Sequence, residues 1–215
     1  MTIRYDVLSG RLLELMRSRN ISAGTPREVG DRLADMVGRE FREILDAAGS
    51  PAAEYHYPLS RKAMADFSFT DRDGFVYHVD VKTHLLEKGF HMPNLTSVKR
   101  LAEFYGQSDK NYFLILNIDY ENAGPRQIVV RSVALAPIEF FCWDCLRIGA
   151  LGWGQIQIAN ACCVNINPGN RRKAWMLELC NKLFTFYPKE VEKIRHRKRH
   201  FDKVKRLWEA KQEVA

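Results

Sequence analysis

A chain of 215 residues, 46% hydrophobic and 27% charged, has the size and balance of one globular domain. No apolar run approaches the ~18 residues of a membrane span, and the first twenty residues lack the apolar core and cleavage site of a secretory signal. A cytoplasmic protein with no membrane partner is therefore expected. Thirty-three Lys and Arg against 26 Asp and Glu leave a net charge of +7, which favours a polyanionic partner.

In chain order, Ile3, Val7, Leu12, Leu15 and Met16 recur at helical spacing and predict a first helix over 3–18. Thr25-Pro26-Arg27-Glu28 is a capping-box pattern with proline at the first helical position. It opens a helix that runs to Ala48, with Val29, Leu33, Met36, Val37, Ile44 and Leu45 as its apolar stripe. After a polar crossing, 63–69 and 74–81 read as strands joined by a turn at Asp71-Arg72-Asp73-Gly74. A short helix is predicted from Asn94 to Tyr105, then strands over 111–120 and 127–135 separated by the turn-forming 121–125. Beyond Pro137 follow a short helix around Glu139–Arg147, a strand over 154–160, and two helices near 171–186 and 189–211. This order predicts an α/β fold with a mixed central β-sheet flanked by helices. One domain over 1–215 is expected, with a catalytic core at about 25–135 and a distal part at about 136–215.

The five cysteines all lie in the second half, odd in number. They read as buried small hydrophobes rather than disulfides. Cys142-x-x-Cys145 lacks a second pair of zinc-binding form, because adjacent Cys162 and Cys163 in a strand point to opposite faces.

The stretch that carries chemistry is Asp66-Phe67-Ser68-Phe69, a turn, then Asp80-Val81-Lys82-Thr83. Asp80 and Lys82, two apart on a strand, project to one face, and the hairpin can bring Asp66 beside Asp80. Strand interiors disfavour aspartate, so two of them in facing strands call for a reason. Two close carboxylates repel unless a cation sits between them, and such oxygen ligands suit Mg²⁺. A metal on Asp66 and Asp80 can stabilise charge developing on a phosphodiester, while Lys82 activates or orients an attacking water. The expected products carry a 5′-phosphate and a 3′-hydroxyl.

This Asp66, Asp80-Val-Lys82 arrangement resembles the PD-(D/E)xK nuclease superfamily, and within it the type II restriction endonucleases of the HincII and EcoRV group. The likeness extends through 80–95, 148–160 and 171–184, with Ala65 standing in place of the family's proline. It implies a restriction-endonuclease-like core, metal ligation by Asp66 and Asp80, water activation by Lys82, double-stranded DNA as substrate and a homodimer. A cognate DNA methyltransferase is implied as genetic partner of such a restriction system. Such nucleases often add an acid from the preceding helix. The helical wheel puts Glu40 within the apolar stripe facing the sheet, whereas the resemblance puts Asp31 or Asp35 there.

For DNA contacts, Asn94, Thr96, Ser97, Lys99 and Arg100 stand at a predicted helix N-terminus, a natural phosphate site. Gln155, Gln157 and Asn160 present amides along a strand edge that could read adenine in the major groove. His84 and His91 flank the site and read as phosphate contacts or plain surface. A repair or structure-specific nuclease with the same site, and a non-catalytic DNA-binding module, are the alternatives. They differ from the first reading in sequence-specific cutting and in Mg²⁺ dependence.

Overall fold

Residues 3–22, 24–60 and 63–212 are described by the structure, a computed structural model, and divide into two units, Met1–Asn170 and Arg171–Ala215. In the first, helix α1 spans Tyr5–Ser18, strand β1 Ile21–Ser22 and helix α2 Pro26–Ala47. The α2 start follows its sequence: Thr25 Oγ1 accepts from the Glu28 N–H at 3.2 Å, and Pro26 occupies the first turn. Glu28 reaches back one residue further than a capping box, accepting the Gly24 N–H at 2.8 Å.

Six strands form the main sheet, in the order β1-β7-β6-β4-β3-β2. They are β2 Ala52–His56, β3 Phe67–Asp71, β4 Val76–Leu85, β6 Asn111–Gly124 and β7 Gln127–Pro137, with β1 at the edge. Only β4 and β6 pair in parallel, so the sheet is mixed, as expected. The return from β4 to β6 runs through β5 Asn94–Ser97 and helix α3 Val98–Gln107. Asp71 turns the β3–β4 hairpin, its Oδ1 accepting the Asp73 and Phe75 N–H groups at 2.9 Å each, with Gly74 at φ 77.

Alternation along the strands sorts the two faces. Val79 and Val81 of β4, with Leu114, Leu116 and Ile118 of β6, join the core made with Leu12 and Met16 of α1 and Leu33, Val37 and Phe41 of α2. The intervening β4 residues, among them Asp80, Lys82 and His84, therefore project to the opposite face.

Several stretches depart from the sequence prediction. Asn94–Ser97 is strand β5 rather than the first turn of a helix, because it pairs with β9 Gln155–Ile158, sixty residues on. The helix expected around Glu139–Arg147 is a single 3₁₀ turn, Ile138–Phe140, followed by β8 Leu146–Gly149. Leu146 and Ile148 there pair with Ile158 and Ile156, giving a small antiparallel sheet ordered β5-β9-β8. Edge strands β1 and β2 carry little apolar periodicity; pairing with β7 and β3 forms them.

The cysteines are all free, as expected, but only Cys145 is buried; Cys162, Cys163 and Cys180 are exposed. The second unit is dominated by one helix, α4 Arg172–Glu209, where two were expected. It runs through Pro188, whose ring removes one backbone donor without ending the helix. No helix among the described residues is long and apolar enough to cross a membrane.

Candidate active site

β3 ends where its partner β4 continues, and this sets the geometry of the site. The last ladder pair is Phe67 against Val79. The Asp66 N–H still donates to Val79 O at 3.0 Å, but beyond it the Val81 N–H has no strand to meet. The Asp66 carboxylate takes its place, Oδ2 accepting that N–H at 2.7 Å. Asp66 is thereby fixed at the level of Asp80, on the face that Asp80 and Lys82 share.

Lys82 Nζ lies 2.8 Å from Asp80 Oδ2 and 3.0 Å from Oδ1. Asp80 is buried, with 7% of its surface exposed. Burial pushes its pKa up to about 7, with Lys82 opposing the rise and the Asp66 charge adding to it.

These three side chains line a cleft of about 760 Å³ whose lining also draws on α2, residues 57–60 and 63–65, β5 and the β8–β9 loop. Asn94, Thr96, Ser97, Arg100 and Gln155 line the same cleft. The first three arrive on β5, whose ladder is irregular between Asn94 and Thr96; Thr96 is buried, and Ser97, the last residue of β5, is also the N-cap of α3. Arg100 donates weakly to Ala63 O at 3.5 Å and keeps its guanidinium exposed.

Other predicted residues lie outside this cleft. Lys99 pairs with Glu103 at 3.6 Å and stands over the Trp153 ring. Gln157 donates to Asn94 Oδ1 at 2.6 Å, which commits its amide to holding β5. Asn160 lies past the end of β9 and closes a turn, accepting the Cys162 N–H at 3.1 Å.

Glu40 is a correction. Its carboxylate accepts from Arg19 Nη2 at 3.2 Å through both oxygens, in a separate hollow beside Arg11 and Glu14 of α1. Asp31 and Asp35 line the cleft instead. The reason is rotational: Asp31 and Glu40 are nine residues apart, which is ~2.5 turns, so they leave α2 on opposite sides. Both flank the apolar stripe, and the wheel alone does not tell which flank meets the site. Asp35 is held by the Tyr57 hydroxyl at 2.6 Å and by Arg39 at 2.9 Å. The Tyr57 hydrogen bond foremost, then Arg39, lowers its pKa. Tyr57 itself lines the cleft, a contributor that no sequence motif signalled.

His84, read from the sequence as surface or a phosphate contact, is buried. Its Nδ1 lies 3.3 Å from Asp119 Oδ1, and Ser132 and Asn117 donate to the same carboxylate at 2.5 and 3.1 Å. Its ring stacks on that of His91, whose pKa is lowered by partial burial.

The donor chemistry at Asp66 and Asp80 fits Mg²⁺: two hard carboxylates in mutual repulsion, one of them buried. No cluster of three or more His, Cys, Asp or Glu positioned for a metal occurs among the described residues. A two-carboxylate set agrees with a cation that keeps most of its coordination for water and substrate oxygens.

No family model and no curated protein matches the chain. Among solved structures it is similar to NlaIV restriction endonuclease, at 13% identity and a TM-score of 0.47, over 75% of this chain and 70% of that one.

Proposed function

We propose that the chain is a Mg²⁺-dependent endonuclease that hydrolyses double-stranded DNA at a short specific sequence, as the nuclease of a restriction system. The observation that carries this reading is the convergence of Asp66, Asp80 and Lys82 at the end of β3, in a cleft that also receives Arg100. The net charge of +7 suits a polyanionic substrate.

Asp66 and Asp80 would hold the cation, which when bound supplies Lewis-acid stabilisation of charge developing on the phosphate. Lys82 donates a hydrogen bond that orients the attacking water and offsets phosphate charge. Arg100 holds a flanking phosphate oxygen through its exposed guanidinium. Attack on phosphorus with loss of the 3′ oxygen leaves a 5′-phosphate and a 3′-hydroxyl. Cutting both strands of a symmetric site requires two such centres, hence a homodimer, and a methyltransferase of the same specificity would protect host DNA.

The test is digestion of plasmid and phage DNA by the purified protein with Mg²⁺ and with EDTA, beside Asp80→Ala and Lys82→Ala. Discrete Mg²⁺-dependent fragments, lost in both variants, are expected. Nicking or smearing alone would favour a structure-specific nuclease, and intact DNA throughout would overturn the catalytic assignment.

A further inference from the structure

Helix α4 carries an apolar seam that the second unit leaves in solvent. Leu177, Phe184 and Val191 recur every seven residues, and the same positions continue as Lys198 and Lys205. A second row at the same spacing, Cys180, Tyr187, Ile194, Phe201 and Trp208, lies three residues beyond the first. Together they form the a and d positions of a heptad repeat over ~47 Å of helix. The seam is exposed throughout, Phe184 by 74%, Phe201 by 66% and Trp208 by 63%. A stripe of this length, interrupted only by Lys198 and Lys205, marks an interaction surface.

We propose that this seam is covered by α4 of a second copy of the chain, paired antiparallel about a two-fold axis between residues 192 and 193. In that register Val191 meets Ile194 of the second copy, and Phe184 meets Phe201. Lys198 then lies against the Tyr187 ring and Lys205 against Cys180, so neither lysine faces its own kind. A parallel, in-register pair would instead stack Lys198 on Lys198 and Lys205 on Lys205. The flanking residues agree: Glu190 meets Arg197 twice, and Leu183 meets Val204 twice. Glu190, held by Lys193 at 2.6 Å within its own helix, exchanges one cation for another. Four large aromatic side chains per helix, with their aliphatic neighbours, would bury on the order of 800 Å² per chain, the size of a standard interface. The basic residues Lys189, Lys193, Arg199, Lys203 and Arg206 fall on the outer positions and stay free of the seam. The apolar face is thus matched to another helix and not to a phosphate backbone.

This pairing deepens the homodimer of the reading above without depending on its chemistry, because it is read by mass with neither DNA nor metal present. Sedimentation of the full chain at micromolar concentration should give twice the monomer mass. Glu190→Arg should raise the dimer dissociation constant at least about tenfold by opposing two arginine pairs. Adding Arg197→Glu in the same chain should restore it. A parallel pair would be weakened further by the double change, since Glu190 and Arg197 would then face Arg195 and Asp202. Ile194→Asp with Phe201→Asp should yield a monomer of unchanged helical circular dichroism. A monomeric wild type, a dimer that survives Ile194→Asp with Phe201→Asp, or a double charge exchange that fails to restore pairing would each overturn the proposal. So would loss of DNA binding in seam variants of a monomeric protein, which would make nucleic acid the occupant. Loss of cleavage with an intact dimer would count against the nuclease reading alone.

Discussion

Lys82 Nζ rests 2.8 Å from Asp80 Oδ2 in a place where Asp80 has almost no access to water. Burial and the neighbouring Asp66 push the Asp80 pKa to about 7, against an ordinary value of 3.8, even with that ammonium alongside. Without divalent metal, folded Asp80 therefore keeps its proton over a range in which the unfolded chain has lost it. Stability should fall as pH rises from about 4 to about 7 and change little from this source above that. Thermal unfolding of the metal-free protein across this range should show the slope, and Asp80→Asn should flatten it. Because a cation needs the ionised carboxylate, apparent Mg²⁺ affinity by titration calorimetry should rise with pH up to about 7 and then level off. A pH-independent affinity would mean that Asp80 does not ligate.

The α2 acids make a paired prediction. Glu40→Gln removes the partly exposed pair with Arg19, a loss of about 0.5 kcal/mol, and should leave cleavage and Mg²⁺ affinity unchanged. Asp35→Asn leaves the helix intact and alters the cleft wall; it should reduce cleavage at least about tenfold if the acid acts on metal or water. Unchanged single-turnover rates in both variants would mean that neither acid of α2 is used, and equal losses would overturn the assignment of the working flank to Asp35.

The contrast between Asp80 and Glu40 shows what could be read from the chain. Asp66, Asp80 and Lys82 are legible because a strand's period of two fixes the face and a short hairpin fixes the neighbour. Glu40 misleads because helical spacing defines a stripe and not which flank of it meets the site. Asn94 and Thr96 are mislaid for another reason: β5 exists by virtue of β9, sixty residues distant, and no local pattern announces that partner. Pro188 carries a local break signal that α4 overrides.

Gly38 is the point at which α2 meets the segment that carries Tyr57. A side-chain carbon there would overlap the Cδ2–Cε2 edge of the Tyr57 ring, and the Gly38 carbonyl accepts the Tyr55 hydroxyl at 2.6 Å. Gly38→Ala should therefore displace Tyr57 from Asp35 and cost about 1–3 kcal/mol by overpacking, offset slightly by helix propensity. Tyr57→Phe removes only the hydroxyl and leaves the packing. Denaturant unfolding of both should place the larger loss in Gly38→Ala; the reverse order would show that the ring moves aside freely.

Gln155 and Gln157 share one face of β9, with Ile156 and Ile158 buried on the other. Their surroundings nonetheless separate them. Gln155 opens into the cleft, whereas the Gln157 amide is bonded to Asn94 and packed so closely on Gly149 that a side chain there would push the amide aside. A base-reading amide must be free to meet the groove, so Gln155 is the candidate and Gln157 its support. Gln155→Ala should lower the rate at the preferred sequence relative to single-base variants of it by about tenfold, the lower range for one bidentate contact, with little change in unfolding midpoint. Gln157→Ala should lower the midpoint through loss of a hydrogen bond worth about 1 kcal/mol and slow cleavage of preferred and variant sites alike. Competition cleavage of a short-oligonucleotide library by the two variants separates these outcomes. An unchanged preference in Gln155→Ala would move base reading away from β9.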